Sequence, residues 1–331
     1  MDLSKHYLEE RGETAMTRMA PLSQLMALVT VLFLTGCFLR DPWNDLIPPR
    51  PPPETLPALP SGPSLQVLVL GDWGTGGQGQ RAVAGAIAET HGGSPPDFVL
   101  TVGDNFYPDG VTGPGDPIWE THFETVYEGP FWEKLVFYAA LGNHDHHGRP
   151  RGQIEYSTVS PRWEMPEPYY AFEKEIPGGG SALFLNLDTH PINEKDPTSP
   201  AQLEWADSVL GRASADWIVL AGHHPVASGG WHGSEGSVRT ALLPLLGGRA
   251  DLYLSGHNHD TELLETSVGT LQAVCGGGAG LDNPVRVRPM TGTLAAFTNG
   301  GWCYLRLWPD VLVVDLYDRE GGLQFRHLMG G

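Results

Sequence analysis

The chain has 331 residues, with 39 acidic side chains, 20 basic ones and a formal net charge of −19. This length is enough for one large domain with a sizeable core. The negative charge argues against nucleic acid and anionic membrane surfaces as partners. Three cysteines are too few for a disulfide-dense scaffold, and Cys275 and Cys303 either pair in an oxidising compartment or remain as two buried thiols.

The first 36 residues carry the features of an export signal. Residues 22–34 form a short apolar run preceded by Arg18, which is typical of a signal-peptide core and too short to span a bilayer well. The run ends in LTGC, which resembles a bacterial lipobox and implies cleavage before Cys37 and lipidation of its sulfur. An ordinary signal peptide with a chance cysteine is the alternative. The acidic residues before Met16 are unusual in a signal sequence and favour a true start at Met16.

A proline-rich tether is predicted over residues 37–63, which include PPRPPPE. Such segments favour extended polyproline II, at about 3.1 Å per residue. The tether would hold the rest of the chain clear of a membrane, and the alternative is a segment lying along the domain surface. Residues 64–331 are then predicted to form a single domain.

Six apolar runs predict buried strands at residues 65–70, 98–102, 136–140, 182–187, 217–221 and 252–255. Helices are predicted between them at residues 80–90, 201–210 and 238–246, the second with Ser199-Pro200 as its cap and first turn. The pattern then changes and predicts antiparallel strands at residues 261–266, 271–275, 302–307, 311–317 and 323–327. This order predicts an α/β fold, a four-layer αββα sandwich of two mixed β-sheets flanked by helices.

Five of the predicted strands end in glycine followed at once by a side chain that can bind a metal ion. Such a glycine permits a sharp turn and close backbone approach. In an open α/β sheet, ligands bind beyond the carboxyl ends of the strands. One Gly-Asp pair is an ordinary turn, but five strand ends of this kind predict a shared crevice. The residues delivered there are Asp72, Asp104, Asn143, His223 and His257.

Tyr107 and His259 extend this set, because each follows one of the same strand ends within a few residues. Carboxylate, phenol, carboxamide and imidazole donors without a thiolate suit iron, manganese or zinc rather than a structural zinc cage. Taken singly, most of these residues are more often turn, cap, core or surface residues. The prediction of a metal site depends on their joint register with the strand ends.

Five extended motifs carry a family resemblance: GDWG, GDNFY, GNHD, GHHP and GHNH. This set, in this order, resembles the calcineurin-like metallophosphoesterases. The tyrosine in GDNFY, with the segments IEYSTVSPRWEMPEPYYAF, FLNLDT and HHPVASGGWHG, resembles the purple acid phosphatases of the small tartrate-resistant type. The resemblance extends from about residue 65 to the C-terminus and implies the same αββα sandwich, with residues 64–331 as a metallophosphoesterase catalytic domain.

The resemblance implies two metal ions that share one bridging carboxylate, that of Asp104. A phenol with an ordinary pKa of about 10 loses its proton at neutral pH only beside a highly charged cation, so Tyr107 favours Fe(III) in the first position. The second position stays open among Fe(II), Zn and Mn. The first ion is implied at Asp72, Asp104, Tyr107 and His259, and the second at Asp104, Asn143, His223 and His257.

Two further histidines, His144 and His232, are implied to face the substrate. They would stabilise phosphoryl charge or protonate the leaving oxygen, and a histidine with a pKa near 6.5 can act as an acid at acidic pH. For His232, a solvated loop histidine is the alternative. The short polar segment at residues 190–200 offers little lid and predicts an open pocket with broad specificity. The histidines expected to be bystanders are His146, His147, His190 and His224.

Together these features predict a dinuclear metal-dependent acid phosphatase that hydrolyses phosphate monoesters by attack of a metal-bound hydroxide. The alternatives are a phosphodiesterase or nucleotide pyrophosphatase of the same superfamily, and a non-catalytic surface lipoprotein. The expected substrates are small phosphomonoesters, with phosphoproteins as a further class, and membrane contact is expected through the lipid anchor alone. The predicted location is the bacterial cell envelope, with secretion as the alternative.

Overall fold

The computed structural model describes residues 56–280 and 287–330. The predicted leader over residues 1–36, Cys37 and the tether as far as residue 55 lie outside the described residues. Within those described ranges, no helix combines the length and the apolarity that a membrane-spanning segment requires.

Strands dominate the described part of the chain, and the helices lie mostly between strands of its first two thirds. The strands are β1 (Leu65–Leu70), β2 (Phe98–Val102), β3 (Phe137–Ala140), β4 (Trp163–Glu164), β5 (Tyr170–Glu175), β6 (Ser181–Asn186), β7 (Trp217–Ala221), β8 (Leu252–Ser255), β9 (Thr261–Glu265), β10 (Leu271–Cys275), β11 (Thr293–Phe297), β12 (Gly300–Leu307), β13 (Val311–Asp318) and β14 (Leu323–Gly330). The helices are α1 (Gln78–His91), α2 (Asn143–His147), α3 (Pro150–Tyr156), α4 (Thr189–Asn193), α5 (Ser199–Leu210) and α6 (Gly236–Leu246), with a π-helical turn at Glu120–Glu124.

The strands form two mixed sheets of seven strands each. The first has the order β14-β13-β12-β1-β2-β3-β4, in which β1 to β4 are parallel and the remaining pairs antiparallel. The second has the order β11-β9-β10-β8-β7-β6-β5, with a parallel centre from β6 to β10. The carboxyl ends of the parallel strands therefore collect at one edge of each sheet.

Alternating side chains of β1 show how the layers are packed. Val67 and Val69 belong to the core between the two sheets, which also contains Phe184 and Leu254 of the second sheet. Leu68 and Leu70 face the other way, into a core shared with α1. A third core lies between the outer face of the second sheet and helices α5 and α6. This arrangement confirms the predicted sandwich of two sheets flanked by helices.

A disulfide bond joins Cys275 in β10 to Cys303 in β12, with their Cα atoms 5.7 Å apart. The bond connects the two sheets, because β10 belongs to the second sheet and β12 to the first. Of the two possibilities left open by the sequence, the structure therefore has the paired cysteines.

Several predicted elements differ from the structure in detail. Helix α5 begins at Ser199 and its cap position is Thr198, so Ser199 is a first-turn residue rather than the cap. The strand predicted at residues 271–275 is antiparallel to β9 but parallel to β8. Strands β4, β5 and β11 and the short helices α2, α3 and α4 were not predicted. Each is short or lies at a sheet edge, where the apolar pattern is weak.

Candidate metal centre

The five predicted strand-end residues come together at the carboxyl ends of parallel strands. Asp72 follows β1, Asp104 follows β2 and Asn143 follows β3, all in the first sheet. His223 follows β7 and His257 follows β8 in the second. The crevice thus lies where the two sheets present their parallel strand ends to each other, as expected for an α/β fold.

Three of these residues have a left-handed backbone. Asp72 has φ 55°, Asp104 has φ 51° and His257 has φ 69°. Among the described residues, Lys195 is the one other non-glycine residue with positive φ. A backbone of this kind costs on the order of 1 kcal/mol or more per residue and persists where the surrounding fold enforces it, often at functional sites.

Two strand-end glycines let the carboxylates approach the neighbouring backbone. A Cβ atom on Gly142 would lie 2.2 Å from Oδ1 of Asp104, and one on Gly256 would lie 2.4 Å from Oδ2 of Asp72. No other residue fits at these positions without moving the carboxylate. Packing therefore requires glycine here, in addition to the conformation of the turn.

The first cluster of donor atoms surrounds the hydroxyl of Tyr107, and we call it the tyrosine group. Its Oη lies 2.9 Å from Oδ2 of Asp104, 3.1 Å from Oδ1 of Asp72 and 3.2 Å from Nε2 of His259. His259 Nε2 is also 3.5 Å from Asp72 Oδ1. The four predicted ligands of the first ion therefore converge on one point.

The second cluster, which we call the amide group, surrounds the side-chain oxygen of Asn143. This Oδ1 lies 3.0 Å from Nε2 of His223 and 3.1 Å from Nδ1 of His257, and the two nitrogens are 3.2 Å apart. Asp104 Oδ1 is 3.5 Å from His223 Nε2. Asp104 thus has one oxygen toward each group.

The hydrogen-bond roles in the amide group leave acceptors facing one another. Nδ1 of His223 donates to the carbonyl oxygen of Val102 at 2.9 Å, so in the neutral ring Nε2 carries a lone pair. That lone pair points at the amide oxygen of Asn143, which is also an acceptor. Opposed acceptors inside a buried site are unfavourable unless a cation lies between them, so these donor atoms fit a metal ion.

The electrostatics of both groups also favour a cation. Burial and the neighbouring Asp104 raise the pKa of Asp72 well above its ordinary value, and burial with both carboxylates raises the pKa of Tyr107 well above 10. Burial and adjacent histidines, His223 first among them, lower the pKa of His257 to about 2, and burial lowers that of His259 to about 4. The neutral imidazoles provide lone pairs for a metal ion. The positive charge of the ion would stabilise the carboxylate and phenolate anions, which burial makes unfavourable.

The two predicted substrate-facing histidines lie at the rim of the crevice. The ring of His144 is 4.5 Å from that of Tyr107, and its backbone N–H donates to Asp104 Oδ1 at 2.9 Å. His232 is exposed, and its ring lies 4.4 Å from that of His257. His144 therefore flanks the tyrosine group and His232 flanks the amide group. Their predicted roles toward a substrate stay predictions.

Asn258, in GHNH, was not singled out by the sequence analysis. Its Oδ1 accepts a hydrogen bond from the backbone N–H of His232 at 2.7 Å, and its Nδ2 donates to Ser228 Oγ at 2.7 Å and to the carbonyl of Gly233 at 3.1 Å. This one side chain therefore holds the loop that carries His232. The sequence feature that could have identified Asn258 is its position between His257 and His259 in the GHNH motif.

Glu235 is a second residue that sequence reasoning missed. Its Oε1 lies 3.5 Å from Nε2 of His257, the ring nitrogen that faces away from Asn143. An acceptor at this nitrogen favours the tautomer in which Nδ1 presents its lone pair to the site. No motif marks Glu235, because it belongs to a loop far from His257 in sequence.

Asp145, the last residue of GNHD, ties two of the strand-end loops together. Its carboxylate accepts hydrogen bonds from the backbone N–H groups of Gly142 at 2.8 Å, Asn105 at 3.1 Å and Phe106 at 3.2 Å, and from Gln153 Nε2 at 2.7 Å. Burial and then Asp104 raise its pKa to about 7. Asp145 thus positions the loops of Asp104 and Asn143 through hydrogen bonds to their backbones.

The histidines expected to be bystanders have different surroundings. His146 Nε2 lies 2.9 Å from Asp188, and its ring stacks on His190. His147 is exposed, 3.6 Å from Asp109. His224 is buried, and one of its ring nitrogens lies within 4.8 Å of those of His223 and His257. Of the four, His224 therefore lies beside the amide group.

Comparison with known proteins identifies a family and several relatives. The family model for calcineurin-like phosphoesterases matches residues 65–261. Tartrate-resistant acid phosphatase type 5 of Homo sapiens is 34% identical, over 82% of this chain and 93% of the relative. The Sus scrofa protein of the same name is 31% identical over 80% and 86%. Purple acid phosphatase 7 of Arabidopsis thaliana is 31% identical over 65% and 70%.

Solved structures share the fold. GAP50, the anchor in the inner membrane complex of Plasmodium, has a TM-score of 0.71 at 24% identity and covers 81% of this chain and 89% of its own. A dimetal phosphatase from Danio rerio has a TM-score of 0.53 at 12% identity and covers 81% and 99%. With the sequence matches, these findings show that the chain belongs to the calcineurin-like phosphoesterase family, with tartrate-resistant and purple acid phosphatases among its relatives.

Proposed function

We propose that this protein is a dinuclear metal-dependent acid phosphatase that hydrolyses phosphate monoesters. The tyrosine group would hold one ion and the amide group the other, with Asp104 shared between them. The observation that carries the proposal is the phenol of Tyr107, within 3.2 Å of two carboxylates and an imidazole. Relatives named as acid phosphatases support the same activity.

The two groups suit different ions. The tyrosine group offers two carboxylates and a phenol, so we assign Fe(III) to it, because a highly charged cation is needed to deprotonate the phenol. The amide group offers one shared carboxylate with neutral oxygen and nitrogen donors, which suits Fe(II), Zn or Mn.

The rim histidines would handle the substrate's charge and proton. The bound ions would supply an activated water molecule and neutralise phosphate oxygens. His232, exposed beside the amide group, would donate a proton to the leaving oxygen. His144, beside Tyr107, would stabilise charge on the phosphoryl group. Asn258 would keep His232 in place through its hydrogen bond to the backbone of that residue.

The test is one purification followed by metal analysis, a visible spectrum and assays with para-nitrophenyl phosphate and bis(para-nitrophenyl) phosphate. We expect two ions per chain, a violet band from iron-bound tyrosinate, and faster turnover of the monoester. Tyr107→Phe should bleach the band while the fold persists. A colourless, iron-free but fully active enzyme would overturn the iron assignment, and preference for the diester would favour the phosphodiesterase alternative.

We also propose that the protein is exported and held in a bacterial cell envelope by lipid on Cys37. The LTGC sequence and the disulfide between Cys275 and Cys303 support an oxidising location. Wild type should fractionate with membranes in a bacterial host, and Cys37→Ala should be released or left unprocessed. Identical fractionation and gel migration of the two proteins would contradict the lipid anchor.

A further inference from the structure

His232 lies in a glycine-rich loop that has little stiffness of its own. Three of the five residues at 229–233 are glycine, which leaves a backbone more conformational freedom than any other residue. The N–H of Gly233 donates to the carbonyl oxygen of Gly230 at 3.1 Å, so Trp231 and His232 lie at the centre of a turn. The position of the His232 ring therefore depends on the contacts that hold this turn from outside the loop.

Asn258 binds this turn directly, and its amide has one possible orientation. The backbone N–H of His232 can only donate, so the atom of Asn258 that lies 2.7 Å from it is the amide oxygen. The amide nitrogen then points the other way and donates to Ser228 Oγ at 2.7 Å and to the carbonyl oxygen of Gly233 at 3.1 Å. Asn258 is fully buried, so its orientation depends on these partners rather than on water.

The hydroxyl of Ser228 is likewise restricted to one arrangement. Its oxygen accepts hydrogen bonds from Asn258 Nδ2 at 2.7 Å and from the backbone N–H of Gly230 at 3.0 Å. A hydroxyl oxygen has two lone pairs, and both are then occupied. The hydroxyl proton is left for the remaining neighbour, and Ser228 donates it to Oε1 of Glu262. Ser228 thus passes the direction of the hydrogen bonds on from Asn258 to Glu262.

Glu262 fixes this series of contacts to the second sheet. It lies in β9, which pairs with β10 on one side and β11 on the other, so its backbone has a defined place. Its side chain is fully buried, with Oε1 accepting from Ser228 and Oε2 accepting from the backbone N–H of Gly229 at 3.0 Å. Hydrogen bonds therefore run without interruption from a strand inside the sheet to the backbone of His232.

We propose that Glu262 is a positioning residue for proton donation: acting through Ser228 and Asn258, it holds His232 beside the amide group. The ring of His232 lies 4.4 Å from that of His257, and a small displacement of a proton donor is costly for the rate. A buried network of this kind is rigid when each member has its partners. This inference rests on the proposed phosphatase function and adds a residue that does not itself touch the substrate.

The first test compares ethyl phosphate with para-nitrophenyl phosphate, using the metal-loaded full chain. Glu262→Gln has nearly the same shape as wild type but places a donor against the hydroxyl of Ser228 or the N–H of Gly229. The ratio of kcat for ethyl phosphate to kcat for para-nitrophenyl phosphate should fall about 10-fold, because the alkyl leaving oxygen needs the proton of His232. Ser228→Ala, which breaks the same series, should lower the ratio in the same direction. Both ions and the violet band should remain.

A double-mutant cycle separates positioning from a general effect on the fold. In the His232→Ala background, Glu262→Gln should leave the ratio unchanged, because the residue that it positions is absent. A further fall of the same size in that background would show that Glu262 acts independently of His232 and would overturn the proposal. Equal falls for the two substrates, or loss of metal in Glu262→Gln and Ser228→Ala, would overturn it as well.

Amide hydrogen exchange of the metal-free full chain tests the same link without turnover. A peptide covering residues 228–234 should exchange roughly 10-fold faster in Glu262→Gln and Ser228→Ala than in wild type. Unchanged exchange in both variants would overturn the proposal. If wild type hydrolysed neither substrate, the phosphatase proposal would fail, while faster exchange would still support Glu262 as the residue that holds the His232 loop.

Thr270→Val is the matched control, because it also removes a buried hydroxyl with hydrogen bonds. The hydroxyl of Thr270 donates toward the carbonyl oxygens of Leu246 and Ala250, at 3.0 and 3.2 Å, and has no contact with the loop at 228–234. This variant should leave both the substrate ratio and the exchange of that loop at wild-type values. An equal change in Thr270→Val would assign the effect to general destabilisation and overturn the positioning role of Glu262.

Discussion

Two buried carboxylate sites in this molecule, Asp315 and the pair Asp72 and Asp104, have opposite surroundings. Asp315 in β13 is fully buried, and its oxygens accept hydrogen bonds from the guanidinium groups of Arg306 and Arg326. Asp72 and Asp104 are 0% and 2% exposed, yet in the described ranges no Lys or Arg forms an ion pair with either of them. Their neighbours are a phenol, histidines and backbone N–H groups.

This contrast shows which buried carboxylates the chain itself neutralises and which need a bound cation. Around Asp315 the protein provides the counter-charge itself, through two arginines. At the crevice it provides two carboxylates, a left-handed backbone at each, and lone pairs aimed at one another. Such an arrangement is unfavourable by itself and becomes favourable with bound cations. Substitutions in the two sites should therefore have opposite consequences for function and for stability.

The largest effect is expected for Asp104→Ala. Because Asp104 has an oxygen toward each donor group, the variant should lose both metal ions, the violet band and measurable phosphatase activity. In metal-free protein the same change should not lower the midpoint of thermal unfolding, because it removes a buried carboxylate that has no cationic partner. Metal analysis and calorimetry with a chelator measure both parts.

Asp315→Ala is the contrasting change. It leaves two arginines without their buried partner and should cost about 3–5 kcal/mol of unfolding free energy, as for other broken buried ion pairs. Metal content and kcat per folded molecule should stay at wild-type values. Equal destabilisation of the metal-free protein by Asp104→Ala and Asp315→Ala would contradict the claim that only Asp315 stabilises the fold without metal.

His232→Ala should have the next largest effect and should separate proton donation from metal binding. Both ions and the colour should remain, because the His232 ring packs on His257 without entering either donor group. The rate should fall by roughly 10²–10⁴ for alkyl phosphates, whose leaving oxygen needs a proton. The fall should be smaller for para-nitrophenyl phosphate, whose leaving group is stable as an anion. Loss of metal, or equal losses with both substrates, would remove His232 as the proton donor.

Glu235→Ala should weaken one ion selectively. Without an acceptor at Nε2, His257 loses the contact that favours its ligating tautomer, and affinity for the second ion should fall by about 10–100-fold. Fe(III) and its violet band should remain, because the tyrosine group does not include His257. Glu235→Gln, which keeps an acceptor, should lie between wild type and Glu235→Ala in a chelator competition assay. Parallel loss of both ions would show that Glu235 acts on the whole fold.

The sequence predicted the fold best where strands are buried on both faces. The bounds of β1, β2, β7 and β8 match their predictions, because each is a mainly apolar run followed directly by glycine. Strand β5 was missed, since its sequence YAFEKE is half polar at the edge of the second sheet. Strand β4 has two residues, and α2 has the sequence NHDHH, so neither has room for a periodic pattern.

At the candidate site, too, the residues that could be predicted are those with a local sequence pattern. Its seven predicted ligands lie in short motifs at strand ends, and parallel strand ends meet by topology, so their convergence could be predicted. Asn258 and Glu235 act through a backbone N–H and a ring nitrogen that are distant in sequence. Contacts of that kind exist only after folding, and residue type alone does not mark them.

The smallest expected effect concerns His91, a buried histidine at the last position of α1. Nε2 of His91 accepts a hydrogen bond from Trp302 Nε1 at 3.0 Å, its ring stacks on Tyr304, and it is 3% exposed. Burial, and then the charge of Arg306, lower its pKa from 6.5 to about 4. Unlike the histidines of the crevice, His91 is paired within the protein, so its titration should affect stability without affecting metal binding.

The direction of the change in stability with pH follows from the lowered pKa of His91. The unfolded chain binds a proton at His91 as the pH falls through 6.5, and the folded chain does so only near pH 4, so stability decreases across this interval. The contribution should be about 2 kcal/mol between pH 7 and pH 5. His91→Gln keeps an acceptor for Trp302 and should lose this part of the pH dependence. Urea unfolding of both proteins in the same chelating buffer cancels the other histidines, and parallel curves of stability against pH would contradict the prediction.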